Sequence, residues 1–176
     1  MVDNRNQMLN YAIHASFTLG IFWVVKYLFV ILGQDAKLLA ITANILSVFT
    51  PLLLLNYLFK YNKRYLDNKM SFWQGMQFAI LLFFFASILE SVIVFIHIRW
   101  IDPFYISNLY ERMTILAKSL PFSAEVTEQF AAQPLPSSFS YVFTNVILGN
   151  VFIGILLSLI LVPFSKKMNR EIKSIL

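Results

Sequence analysis

Two ionisable side chains stand where a chain normally avoids them. Lys26 lies within "FWVVKYLFVIL" and Glu90 within "LLFFFASILESVIVFIHIRW", both otherwise apolar or aromatic. A charge at the centre of a membrane-spanning helix costs about 2.5–3.5 kcal/mol or more, so such groups are paired, protonated or used. Three kinds of chemistry fit a lysine and a glutamate in that setting. They can form an internal ion pair that fixes helix register. They can bind a substrate, an ion or a proton. Alternatively, Lys26 can extend its long stem to the headgroups, while the shorter Glu90 needs an internal partner or a proton.

Other polar residues punctuate the same kind of run. Ser87, Glu90, Ser91 and His97 recur at separations of three, four and seven, which places them on roughly one helical face. Asn44, Asn145 and Asn150 interrupt two further apolar stretches. The candidate polar site comprises Lys26, Asn44, Glu90, Asn145, Ser87 and Ser91, with the amides as interhelical hydrogen-bonding groups.

Catalytic signatures are missing. There is no H-E-x-x-H, G-x-S-x-G, phosphate-binding loop or G-x-G-x-x-G. The absence of cysteine excludes disulfides, thiol nucleophiles and thiolate zinc sites. His14 reads as a satisfied interface histidine, and His97 as an interfacial one beside Arg99 and Trp100. They fall near opposite membrane faces, so they cannot share one metal within a chain. Asp102, Glu111, Glu125 and Glu128 have helical spacing without a partner base and read as a solvated face. No catalytic residue, metal or cofactor is assigned, and the balance leans away from an enzyme.

These residues need elements to hold them. The chain has 176 residues, 59% hydrophobic and only 13% charged, with 18 phenylalanines, a surplus too large for one small aqueous core. Four runs are long enough to cross a bilayer core of about 30 Å: residues 11–33, 38–59, 72–98 and 139–163. Each must be helical, because lipid offers the backbone no hydrogen bonds. The N-terminal sequence is a poor cleaved signal peptide, so the first span is read as retained. "GQDAK" makes spans one and two a hairpin, Ser71 and Gln74 have capping-box spacing at the start of span three, and Pro163 closes span four. Small residues every four positions (Ala12, Ser16 and Gly20; Gly75 and Ala79; Ser87 and Ser91) predict close helix contacts.

The net charge of +5 gathers at span ends, and no nucleic-acid motif accompanies it, so nucleic acid is not an expected partner. Arg5, the stretch from Lys60 to Lys69 and the tail from Lys166 fall on one side; Lys37, Arg99, Arg112 and Lys118 fall on the other. The positive-inside bias then places both termini in the cytoplasm. In that topology Lys26, Asn44 and Glu90 each lie about four residues, or ~6 Å, to the outer side of their span centres. Asn145 lies nearer the outer surface and Asn150 nearer the centre.

Residues 99–138 form the outer connection. Asp102-Pro103 starts a helix with Ile106, Leu109, Tyr110, Met113 and Leu116 on one face and Asn108, Glu111 and Arg112 on the other. A second helix is expected from Ser123 to Ala132. The connection can lie flat on the outer leaflet, or serve as a lid or docking surface.

The layout, with its basic "YNKRY…G" connection, its "DPFY" start of the outer helix and its "PFSKKMNREI" tail, resembles a bacterial family of small four-span inner-membrane proteins of unknown function. The resemblance implies the fold and supplies no activity. The expected molecule is therefore an all-α integral membrane protein, a four-helix transmembrane bundle with an amphipathic outer loop. Its expected partners are the lipid bilayer and a second copy or another membrane protein. A non-enzymatic partner-binding or structural role comes first. A small oligomeric transporter or channel-like protein using the Lys26/Glu90 layer comes second, and an enzyme subunit acting on lipid-linked substrates third.

Overall fold

The structure, a computed structural model, describes residues 4–33, 36–119 and 133–175, with side chains described within 6–168 of these. The helix expected from Ser123 to Ala132, and the tip of the "GQDAK" turn, lie outside the described residues.

Every long apolar run is helical, since only a helix pairs its own backbone groups where lipid surrounds it. Helix α1 spans Asn4–Leu32, α2 Lys37–Ser47, α3 Phe49–Tyr65, α4 Phe72–Ile96 and α5 Tyr105–Ser119. A single turn, α6 (Ser138–Tyr141), leads through a π-helical stretch to α7 (Gly149–Ile175). Together they make an all-α bundle with four helical segments long and apolar enough to cross a membrane: Asn6–Leu32, Lys37–Tyr65, Phe72–Ile101 and Ser138–Met168.

Helix α4 is central and packs on α1 along one side and α7 along another. Its start is set locally: the Gln74 N–H donates to Ser71 Oγ (3.1 Å) and the Ser71 N–H to Gln74 Oε1 (2.8 Å), a complete capping box. Helices α1 and α4 run parallel, because Trp23 meets Phe83, Lys26 meets Glu90 and Tyr27 meets His97 in ascending order. Their closeness depends on Gly20, where a Cβ would sit 2.6 Å from Leu89 Cδ1 and 3.0 Å from the Ala86 carbonyl. Gly154 does the same for α7, since a Cβ there would meet Phe83 Cγ at 2.8 Å. The core these contacts close is built from Leu19, Trp23, Leu54, Leu58, Phe78, Leu82 and Phe83, with Tyr61 stacked on Phe78 at 4.8 Å. Outward, Phe17, Phe152 and Ile160 are exposed, a surface suited to lipid rather than water.

The helices depart from the expected boundaries in several places, and α5 begins at Tyr105 rather than at Asp102-Pro103. The second span is broken at Val48, because Pro51 in the first turn of α3 has no N–H for the Ser47 carbonyl. Helix α3 runs past residue 59 to Tyr65, and the connection that follows is tied by Asn62, fully buried, whose Oδ1 accepts the Met70 N–H at 3.0 Å. Asp67 and Asn68 make the reversal with positive φ, a region these short polar side chains tolerate. The third span continues beyond residue 98 through a π turn, His97–Ile101, closed by the Asp102 N–H donating to the His97 carbonyl at 2.8 Å. Finally, Pro163 does not end the last span. Helix α7 passes through it to Ile175, held on both sides by the fully buried Val162 and Ser165.

Candidate functional site

One face of α1 carries Trp23, Lys26, Tyr27 and Val30, spaced so that each stands above the last. Against it α4 and the π turn that follows it present Phe83, Ser87, Glu90, Val94 and His97. Lys26 Nζ lies 3.4 Å from Glu90 Oε1, with the two side chains 18% and 7% exposed. The other carboxylate oxygen, Oε2, accepts a hydrogen bond from Asn150 Nδ2 at 2.6 Å. Both oxygens of Glu90 are thus occupied from within the bundle, by α1 on one side and α7 on the other.

Lys26 has a second neighbour in the Trp23 ring, 5.7 Å from its ammonium, an attractive cation–π distance. Trp23 in turn donates through Nε1 to Thr50 Oγ1 at 3.1 Å and packs edge-on against Phe83. Four of the long helices meet at this cluster: α1 through Lys26 and Trp23, α3 through Thr50, α4 through Glu90 and α7 through Asn150.

About two turns further along α4, toward α5, a second buried contact follows. The Tyr27 hydroxyl and His97 Nδ1 lie 2.8 Å apart, and the His97 ring meets Tyr27 and Tyr105 edge-on. His97, expected at the membrane interface beside Arg99 and Trp100, lies near the end of the segment Phe72–Ile101 and is fully buried within the bundle, where the π turn begins. His14, expected at a helix interface, is exposed.

The remaining candidate residues are not part of the charged cluster. Ser87 and Ser91 return their hydroxyls to the Phe84 and Ile88 carbonyls of their own helix, both at 2.7 Å. Asn145 is exposed and donates to the Tyr141 carbonyl at 3.1 Å. It sits inside the π-helical stretch Val142–Leu148, whose wider turns displace the face that a count at 3.6 residues per turn predicts. Asn150, just beyond that stretch, reaches Glu90 instead. Asn44 is exposed on α2 and lines a separate crevice with Asp102, Tyr105, Asn108 and Arg112. Nothing in the apolar periodicity marks Asn150, because the segment around it is apolar on all sides.

Chemically, the cluster is a carboxylate with its charge compensated and each of its oxygens engaged. Among the described residues no group of three or more His, Asp or Glu side chains is placed to hold a metal. The family described as "Protein of unknown function (DUF4199)" matches residues 15–167. No curated protein and no solved structure matches the chain.

Proposed function

The chain belongs to the DUF4199 family of proteins of unknown function, and from its geometry we propose a non-enzymatic, multi-pass membrane component in which Lys26, Glu90 and Asn150 clamp the helices. The observation that carries this reading is the double engagement of the Glu90 carboxylate at 7% exposure. A transport site must exchange partners during each cycle, whereas a carboxylate held by a cation and an amide from two neighbouring helices serves best as a fixed cross-brace. On this reading the pair fixes helix register, since a buried ion pair by itself adds little net stability.

The localisation that fits is a bacterial inner membrane with both termini in the cytoplasm. Its support is the clustering of Lys60, Lys63, Arg64, Lys69, Lys166 and Lys167 on one side and the resemblance of the layout to inner-membrane proteins. The exposed apolar surface of α7, with Ile160 and Phe164, is open to lipid, to a second copy or to another membrane protein.

Two measurements test this reading. Reconstituted into sealed liposomes, the wild-type protein is expected to pass neither protons nor monovalent cations. Flux that disappears in a folded Glu90→Gln variant would transfer the assignment to a transporter. Because the chain has no cysteine, single cysteines at Ser107 and Lys63 report sidedness cleanly. Labelling of Ser107→Cys from the cytoplasm would overturn the topology.

A further inference from the structure

The crevice that holds Asn44 has a volume of about 540 Å³, within the range of small-molecule sites. It opens between the α1–α2 hairpin and α5. Its position along the bundle is informative. Gly33 and Asp102, which line it, directly follow the ends of two membrane-length segments, Asn6–Leu32 and Phe72–Ile101. Asn44, at its other extreme, lies seven residues into the segment that begins at Lys37, or about 10 Å of helix. The crevice therefore runs from the level where the apolar segments stop to a short way inside them, the depth of headgroups and their ester linkages.

Its walls divide in the same sense. Val30, Ala40 and Ala43 form an apolar wall of modest side chains, and the neighbouring Leu38, Ile41 and Ile45 of α2 are exposed. Arg112 of α5 also lines the crevice, an exposed guanidinium that forms no ion pair among the described residues. Asp102, whose Oδ1 accepts the Phe104 N–H at 3.2 Å, keeps its negative charge in the same crevice, so an anion is recognised there by the guanidinium and not by net charge. Glu111, the next acid along α5, lines a different depression. A planar donor fork and an apolar wall lining one crevice near the ends of the membrane-length segments match a phosphodiester carrying acyl chains.

We propose that this crevice seats the headgroup of an anionic phospholipid, with Arg112 binding the phosphate, Asn44 and Asn108 the glycerol and ester oxygens, and the Val30–Ala43 wall the upper acyl chain. This rests on the reading of the chain as a membrane component and goes beyond it by naming a ligand class and a site.

The test is native mass spectrometry of the full chain released from detergent after exposure to equal amounts of phosphatidylglycerol and phosphatidylcholine with matched acyl chains. The wild type is expected to retain phosphatidylglycerol preferentially. Arg112→Gln should reduce that preference roughly tenfold, the scale of one charge-assisted hydrogen bond. Ala40→Leu, which narrows the apolar wall without altering charge, should reduce retention of the lipid, while Arg99→Gln, outside this crevice, should leave the preference intact. Arg112→Gln lies on an exposed position and carries the test if Ala40→Leu disturbs folding. Equal loss in Arg99→Gln and Arg112→Gln would reduce the effect to general surface charge and overturn the site. Displacement of the lipid by millimolar glycerol phosphate would make it a free-anion site and overturn the lipid assignment. A wild-type chain stripped from membranes by alkaline carbonate would sink the membrane reading itself, whereas an inserted, folded chain without lipid preference would sink only this proposal.

Discussion

Replacing Glu90 by Gln removes one charge and little volume, so it isolates the electrostatic part of the cluster. The amide oxygen of Gln can still accept from Asn150, but Lys26 loses its counter-charge. At 3.4 Å and an effective dielectric of about 20, the lost attraction is about 5 kcal/mol before desolvation is counted. Part of that is recovered, because the Lys26 ammonium is 18% exposed, keeps the Trp23 ring at 5.7 Å and has a stem long enough to seek water. A net destabilisation of about 2–3 kcal/mol is expected, just below the range for breaking a fully buried pair. The second arm is Lys26→Met with Glu90→Gln. With both charges gone there is nothing left to compensate, so the double variant should return to within about 1 kcal/mol of the wild type. The readout is reversible unfolding in mixed micelles followed by Trp23 fluorescence. Trp73 and Trp100, which are 64% and 66% exposed, are first replaced by Phe so that the buried Trp23 reports alone. If Glu90→Gln costs less than about 0.5 kcal/mol, or if the double variant loses the sum of the two single losses, the pair is not coupled and the cross-brace reasoning is wrong.

Two further outcomes follow from contacts in the same bundle. Gly154→Ala places a methyl 2.8 Å from Phe83 Cγ, an atom near the backbone that cannot swing away. It should therefore cost about 1–3 kcal/mol in the same unfolding assay, and a neutral result would mean that α7 stands farther from α4 than described. Tyr27→Phe takes the hydroxyl from His97 Nδ1 in a fully buried setting, with an expected loss of about 1–3 kcal/mol. An unchanged midpoint would show that the Tyr27–His97 contact is not formed in the membrane.

Features tied to distance along a helix were legible before any tertiary information. Apolar length alone marks the four membrane-length segments, because a backbone in lipid must satisfy itself. The rise per residue is the same in every helix, so counting along parallel α1 and α4 puts Lys26 and Glu90 at one level. Ser71 and Gln74 cap α4 because their bonds close within a single turn. Features tied to direction around a helix were legible only where polar residues made a stripe, as Ser87, Glu90 and His97 do on one buried face. A helix apolar on all sides carries no stripe to mark its inner face, so the choice of Asn150 over Asn145 came from packing and from the π-helical stretch between Val142 and Leu148. Asn44 falls among neighbours that counting does not predict: with Gly33 against Ala40, it lies opposite Val30, about a turn from Lys26, and lines the α5 crevice.

Sequence by itself therefore determined that this is an all-α chain built to cross a membrane, and that an acid and a base lie at one level within it. Only the tertiary structure decided which amide completes the pair, that His97 is buried against Tyr27, and that a half-polar crevice opens beside Arg112. The reason is geometric: one-dimensional spacing sets height along an axis, whereas rotation about that axis is settled by close contacts such as Gly20 on Ala86 and Gly154 on Phe83.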